Sequence, residues 1–139
     1  MAAFNKFNQF VADLANKVHN LGSDTIKVLL TNTAPVATNV VKADITEITA
    51  GNGYTAGGAQ APLVSSSQSS GTYTLKLNNV TFTASGGSIA TFRYAVLYNS
   101  TLASGNLIGW YDYGAALTVT SGNSFQVQFD PTNGVLQSA

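Results

Sequence analysis

Apolar side chains recur at steps of three and four near the start of the chain, at Phe4, Phe7, Phe10, Val11, Leu14, Val18 and Leu21, with Asn5, Lys6, Gln9, Asp13, Asn16 and Lys17 between them. That period places one apolar stripe along a helix, so the spacing predicts an amphipathic N-terminal α-helix within residues 1–22. Gly22 stands where a left-handed residue would end it, and Ser23-Asp24 continue as a turn. The stripe has to be covered, either by this domain's own sheet or by another subunit.

From Thr25 the period changes to two. Ile26 to Leu30 reads as a strand, Asn32 to Asn39 as a loop containing Pro35, and Val40 to Ile48 fits a strand or a short helical turn equally well. Residues 51–70 are almost all small and polar, which predicts a long Gly/Ser-rich surface excursion with one edge strand near Leu63-Val64. Beyond it Tyr73, Leu75 and Leu77 alternate with Thr72, Thr74 and Lys76, and Val80 and Phe82 resume the alternation after a bulge or tight turn at Asn78-Asn79. Phe92, Tyr94, Val96 and Tyr98 share one face of a strand whose other face carries Arg93, Ala95 and Leu97, the pattern of a central strand covered on both sides. Leu107 to Tyr113, Ala115 to Thr120 and Phe125 to Phe129 follow as separate strands, and Val135-Leu136 closes the chain. Short strands at this spacing predict a mainly β fold: a β-sandwich or jelly-roll-like single domain over 1–139, with the helix at 1–22 and the sandwich at 25–139.

Composition narrows the function classes. The chain has 139 residues, 45% of them hydrophobic and only 9% charged, with six basic and six acidic residues and a formal net charge of zero. An average globular chain is roughly 25% charged, so this exterior has to be built from Ser, Thr, Asn, Gln and Gly. Nucleic-acid binding needs clustered cations, whereas Lys6, Lys17, Lys27, Lys42, Lys76 and Arg93 are scattered singly, so no nucleic-acid partner is expected. A neutral surface offers little repulsion against association. No run approaches the roughly 20 apolar residues of a membrane span and no secretory signal is visible, so a soluble, unprocessed chain with no membrane partner is expected. Without cysteine there is neither a disulfide framework nor thiolate chemistry.

Each motif that could support catalysis lacks its required context. Gly51-Asn52-Gly53-Tyr54-Thr55-Ala56 meets a dinucleotide-binding pattern on paper, but Gly57, Gly58 and Pro62 follow where a helix N-terminus would have to present its amides. The single imidazole, His19, falls near the expected end of the helix, where solvation and the helix dipole account for it. Asp44 with Glu47 is the only close carboxylate pair and reads as a solvated loop or strand edge. Asp130-Pro131-Thr132-Asn133-Gly134 has oxygens at alternate positions but too few carboxylates for calcium, and reads as a turn with Asn133-Gly134 left-handed. No catalytic residue, cofactor or metal is therefore expected. Asn79-Val80-Thr81 and Asn99-Ser100-Thr101 are formal glycosylation acceptors only within a secretory pathway. The aromatic group Tyr98, Trp110, Tyr111 and Tyr113 is more suggestive, since consecutive Trp110 and Tyr111 point to opposite faces of a strand. Phe4, Phe7, Trp110, Tyr111 and Tyr113 are the candidate partner or subunit interface, and Trp110 with Tyr111 or Tyr113 the candidate platform for a sugar.

The order of several stretches resembles small structural proteins encoded among the virion genes of tailed bacteriophages. The resemblance is carried by Phe4 to Ala15, by Lys27-Val28-Leu29-Leu30-Thr31-Asn32 with Ala34-Pro35, and by Ile45-Thr46-Glu47-Ile48 leading into Gly51 to Gly58. In the second half it is carried by Phe92 to Asn99, Leu107 to Tyr113 and Phe125 to Phe129. It implies a virion component, with a capsid decoration (cement) protein fitting best: a non-enzymatic, many-copy β-module on the outside of the head that binds the major capsid protein and copies of itself, commonly as a trimer, and stabilises the shell. A tail or head-fibre component is the alternative within that class, and a carbohydrate-binding β-sandwich module the alternative outside it.

Overall fold

The computed structural model describes residues 2–138, so Met1 and Ala139, the two ends of the expected 1–139 domain, lie outside the described residues. The order of elements is β1 (Phe4–Lys6), α1 (Asn8–Ala15), β2 (Ile26–Thr31), a 3-10 turn (Lys42–Asp44), β3 (Ala59–Gln60), β4 (Leu63–Ser69), β5 (Thr72–Leu77), β6 (Val80–Thr83), β7 (Phe92–Asn99), β8 (Leu107–Leu117), β9 (Ser124–Val127) and β10 (Leu136–Ser138). The fold is mainly β and β-sandwich-like, with one short N-terminal helix. A five-stranded sheet ordered β1-β8-β7-β2-β3 forms one layer; a three-stranded sheet, β10-β5-β4, and a two-stranded one, β6-β9, form the other. Every ladder is antiparallel.

Register explains the core. Val28 and Leu30 of β2 lie opposite Leu97 and Ala95 of β7, Ala95 lies opposite Tyr111 of β8, and Tyr111 lies opposite Phe4 of β1, so these side chains share one face. That face meets the second layer, where Tyr111 contacts Phe129 at 6.0 Å. The opposite face carries Leu29, Val96 and Trp110 in register. The irregular segment between β2 and β3 covers this second face: the Thr31 hydroxyl donates to the Thr46 carbonyl, and the Tyr98 hydroxyl to the Gly57 carbonyl at 2.6 Å. β7 is thus the central strand that its double-sided pattern predicts, and apart from half-buried Arg93 all of it is buried.

Five expectations are corrected. The helix covers Asn8–Ala15 instead of most of 1–22. Lys17 adopts a left-handed φ of 65°, the Lys17 N–H donates to the Leu14 carbonyl, and the Val18 N–H donates to the Asp13 carbonyl at 2.8 Å, which together make a Schellman stop five residues before Gly22. Upstream, Phe4 belongs to β1, because steps of three also fit a strand whose Phe4 and Phe7 point to opposite faces. The 51–70 excursion contains two strands, β3 and the whole of β4, since the serine run gains a β5 partner along its length. Asn78-Asn79 is neither bulge nor hairpin but the passage from one sheet to the next, with the Asn78 N–H donating to the Pro62 carbonyl and the Asn79 side chain accepting from the Phe129 N–H. Finally, Leu107–Leu117 is one continuous strand rather than two. In the Asp130 turn the Asp130 carboxylate accepts from the Thr132 and Asn133 N–H groups, and of the last pair only Gly134 is left-handed, with φ 75°.

Candidate functional site

The five aromatic residues expected at an interface form a seam along the β1–β8 pairing. Phe7 is fully buried and packs at a tilt against half-buried Trp110 with ring centroids 4.6 Å apart; Tyr111 is buried against half-buried Phe4 at 5.6 Å. Tyr113, half-buried, meets Phe125 edge-on at 5.0 Å, and burial pushes its hydroxyl up to about 12. Burial likewise raises Tyr111. Phe7 and Tyr111 therefore belong to this chain's own core, and Phe4, Trp110 and Tyr113 are half-buried against it.

His19 departs from its expectation, because its side chain is fully buried instead of solvated. It sits where the turn after α1 crosses the end of β7. Asn99 Nδ2 donates to Asp24 Oδ2 at 2.6 Å and lies 3.0 Å from His19 Nδ1; Asp13 accepts from Gln9 at 3.0 Å and from Asn106 at 3.1 Å. His19 Nε2 is 4.0 Å from Asp13 Oδ2 and has no hydrogen-bond partner. Burial lowers the imidazole pKa, and the Asp13 and Asp24 carboxylates oppose that shift. No nucleophilic hydroxyl is hydrogen-bonded to this imidazole, so the cluster has the arrangement of a buried clasp holding the N-terminal segment onto the sheet. The same burial removes Asn99 from reach as a glycosylation acceptor.

Glu47 and Tyr54 organise a second polar node that sequence reasoning missed. Tyr54 is buried, its hydroxyl donates to Glu47 Oε2 and accepts from the Leu30 N–H at 3.0 Å, and Glu47 also accepts from the Gly57 N–H at 2.6 Å. Lys42 Nζ closes the node, 3.5 Å from Glu47 Oε1 and 5.8 Å from the centre of the Tyr98 ring. The Tyr54 hydroxyl is raised, first by burial and then by its bond to Glu47. Asp44, the other half of the expected pair, turns away and accepts from the Val40 and Val41 N–H groups at 2.9 and 3.1 Å. The two carboxylates thus serve different loops, and the Gly51–Gly58 stretch is a loop pinned at Tyr54 and Gly57. Only the short contact pattern Ile45-Thr46-Glu47 followed by Gly-Tyr could have signalled it.

Five large aliphatic side chains stand outward. Val36 is 58% exposed, Val40 38%, Val11 50%, Leu63 42% and Val64 54%. Val40 and Val41 are tied to the start of β8: the Leu107 N–H donates to the Val40 carbonyl at 3.0 Å and Val41 forms an antiparallel bridge with Asn106. Val41 and Ala43 line a surface depression together with Lys42, Ile45, Ala103 and Ser104. Among the described residues no three His, Asp or Glu side chains converge as they would to hold a metal ion. No helix among them is long and apolar enough to cross a membrane. No protein-family model, curated protein or solved structure matches the chain.

Proposed function

We propose that the chain is a virion structural protein, a capsid decoration (cement) module that binds the major capsid protein on the outside of a bacteriophage head and reinforces it. The observation that carries this reading is the outward placement of Val36 and Val40, 58% and 38% exposed, on a body with 9% charged residues and zero net charge. A surface of this kind attaches by shape, apolar burial and backbone hydrogen bonds, which suits a permanent seat on a shell better than steering towards a charged partner. The resemblance of Phe4 to Ala15 and of Phe92 to Asn99 to phage virion proteins supports the same role. The role needs no catalytic step and no cofactor.

Quantitative mass spectrometry of purified particles tests the proposal. A copy number comparable to that of the major capsid protein supports it, whereas the small number found at a tail tip or fibre overturns the decoration role. On the decoration reading, Val36→Asp with Val40→Asp leaves folding intact and abolishes binding to undecorated heads, because each charge would have to be desolvated at the seam.

A further inference from the structure

We propose that β4 pairs edge to edge with β4 of a second copy of this chain, across a two-fold axis, joining two three-stranded sheets into one of six strands. This goes beyond the capsid reading and does not rest on it. β4 is the outer strand of the order β10-β5-β4, so one edge pairs with β5 and the other faces no strand among the described residues. It is seven residues long, against three for β10 and two for β3. Such a strand extends about 23 Å and presents a row of unpaired backbone donors and acceptors, a template that proteins remaining monomeric blunt with lysine, proline or a disruptive bulge. β4, Leu-Val-Ser-Ser-Ser-Gln-Ser, has no charge and no proline, and its irregularity is confined to its start, between Leu63 and Ser65.

The occupant follows from the chemistry of the strand. When a peptide of different sequence is captured by strand addition, side-chain pockets beside the edge select it. The regular part of β4 offers serine hydroxyls and one amide, which select nothing, whereas pairing with itself requires only that no side chain oppose its own charge. Antiparallel pairing centred on Ser67 sets Ser67 opposite its own copy, Ser66 opposite Gln68 and Ser65 opposite Ser69. Ser67 faces outward: it lies in register with Thr74, between the inward-facing pairs Ser66–Leu75 and Gln68–Tyr73. The pairing is isologous, so it closes as a dimer instead of growing into a filament.

The chain has no cysteine, so Ser67→Cys introduces a single thiol, placed directly opposite its copy within disulfide reach of a paired strand. Under oxidised glutathione this variant is expected to form a covalent dimer quickly, while Thr81→Cys, on the exposed face of β6, does not. Light scattering of the unmodified chain should give twice the 14.4 kDa of one copy, and Ser67→Lys, which opposes two ammonium groups, should return it to a monomer that still unfolds cooperatively, at a midpoint that no longer depends on protein concentration. A monomeric or trimeric unmodified chain, equal oxidation rates for the two cysteine variants, or a Ser67→Lys chain that remains dimeric would each overturn the proposal. All of these readings are made in solution without a capsid, so their failure is separate from failure of the decoration role.

Discussion

Asn99 reads out the tautomer of His19. Its Oδ1 accepts from the Thr101 N–H at 3.0 Å, which fixes the amide so that both Nδ2 protons are donated, one to Asp24 and one to His19 Nδ1. An imidazole nitrogen that accepts is unprotonated, so His19 is neutral with its proton on Nε2. Protonating Nδ1 would set two donors against each other in a buried site.

Stability should therefore fall on mild acidification. The folded-state pKa of His19 lies below the 6.5 of a free imidazole. As pH drops through 6.5 the unfolded chain takes up a proton that the folded chain still refuses, and stability declines until the folded value is reached. Above 6.5 the contribution is complete. Urea unfolding at about pH 7.5 and about pH 5.5, a window above most carboxylate titration, should show the loss. His19→Gln, whose carbonyl can accept from Asn99, should flatten it. A slope that persists in that variant would assign the effect elsewhere.

Tyr54→Phe tests the second polar node. The substitution keeps the ring, which packs on Phe82 at 5.6 Å, but leaves the buried Leu30 N–H without its acceptor and removes one of the partners of half-buried Glu47. Leaving such groups unpaired costs about 1–3 kcal/mol, read as a shift in the denaturant midpoint with unchanged slope. Loss of the hydroxyl also frees Gly57, which shares Glu47, so amide exchange should accelerate around Gly57 and not in β7.

Two glycines with similar backbone angles separate conformational strain from packing. Gly58 and Gly71 have φ of 76° and 84°, but a Cβ at Gly58 would run into the Val28 carbonyl whereas one at Gly71 meets nothing within 4 Å. Gly71→Ala should cost only the left-handed penalty of about 1–2 kcal/mol. Gly58→Ala should cost clearly more, because the β2–β3 contact has to separate. Equal losses on thermal unfolding would mean that the segment yields without strain.

The parts of this fold legible in the sequence are those where one periodicity operates alone. β7 and β2 were readable because alternation there coincides with burial, and the outcome at Phe92–Asn99 follows the pattern. Phe4 to Leu21 was over-read because steps of three and four persist through a strand, a helix and a turn in succession, and nothing in Lys17 announces a left-handed residue. The serine run misled in the other direction: serine has little strand preference of its own, so β4 exists through its partner β5. The polar clasp was invisible because His19 and Asn99 are 80 residues apart in sequence.

The divided role of the N-terminal stripe gives the last prediction. Phe7 is fully buried against Trp110 and Phe10 is 4% exposed, while Leu14 is half-buried beside a cleft of about 500 Å³ and Val11 is 50% exposed. Phe7→Ala should destabilise the chain by about 3–5 kcal/mol, the cost of a large buried ring and the cavity it leaves. Leu14→Ala should cost well under that range, and Val11→Ala almost nothing, because solvent already reaches what would be removed. A graded order Phe7, Leu14, Val11 in unfolding free energy would assign the stripe's core to the first helical turn and its N-terminal approach. Equal losses at Phe7 and Val11 could arise only if Val11 is covered in solution, and light scattering of the Val11→Ala chain would then show a change in mass along with the change in stability.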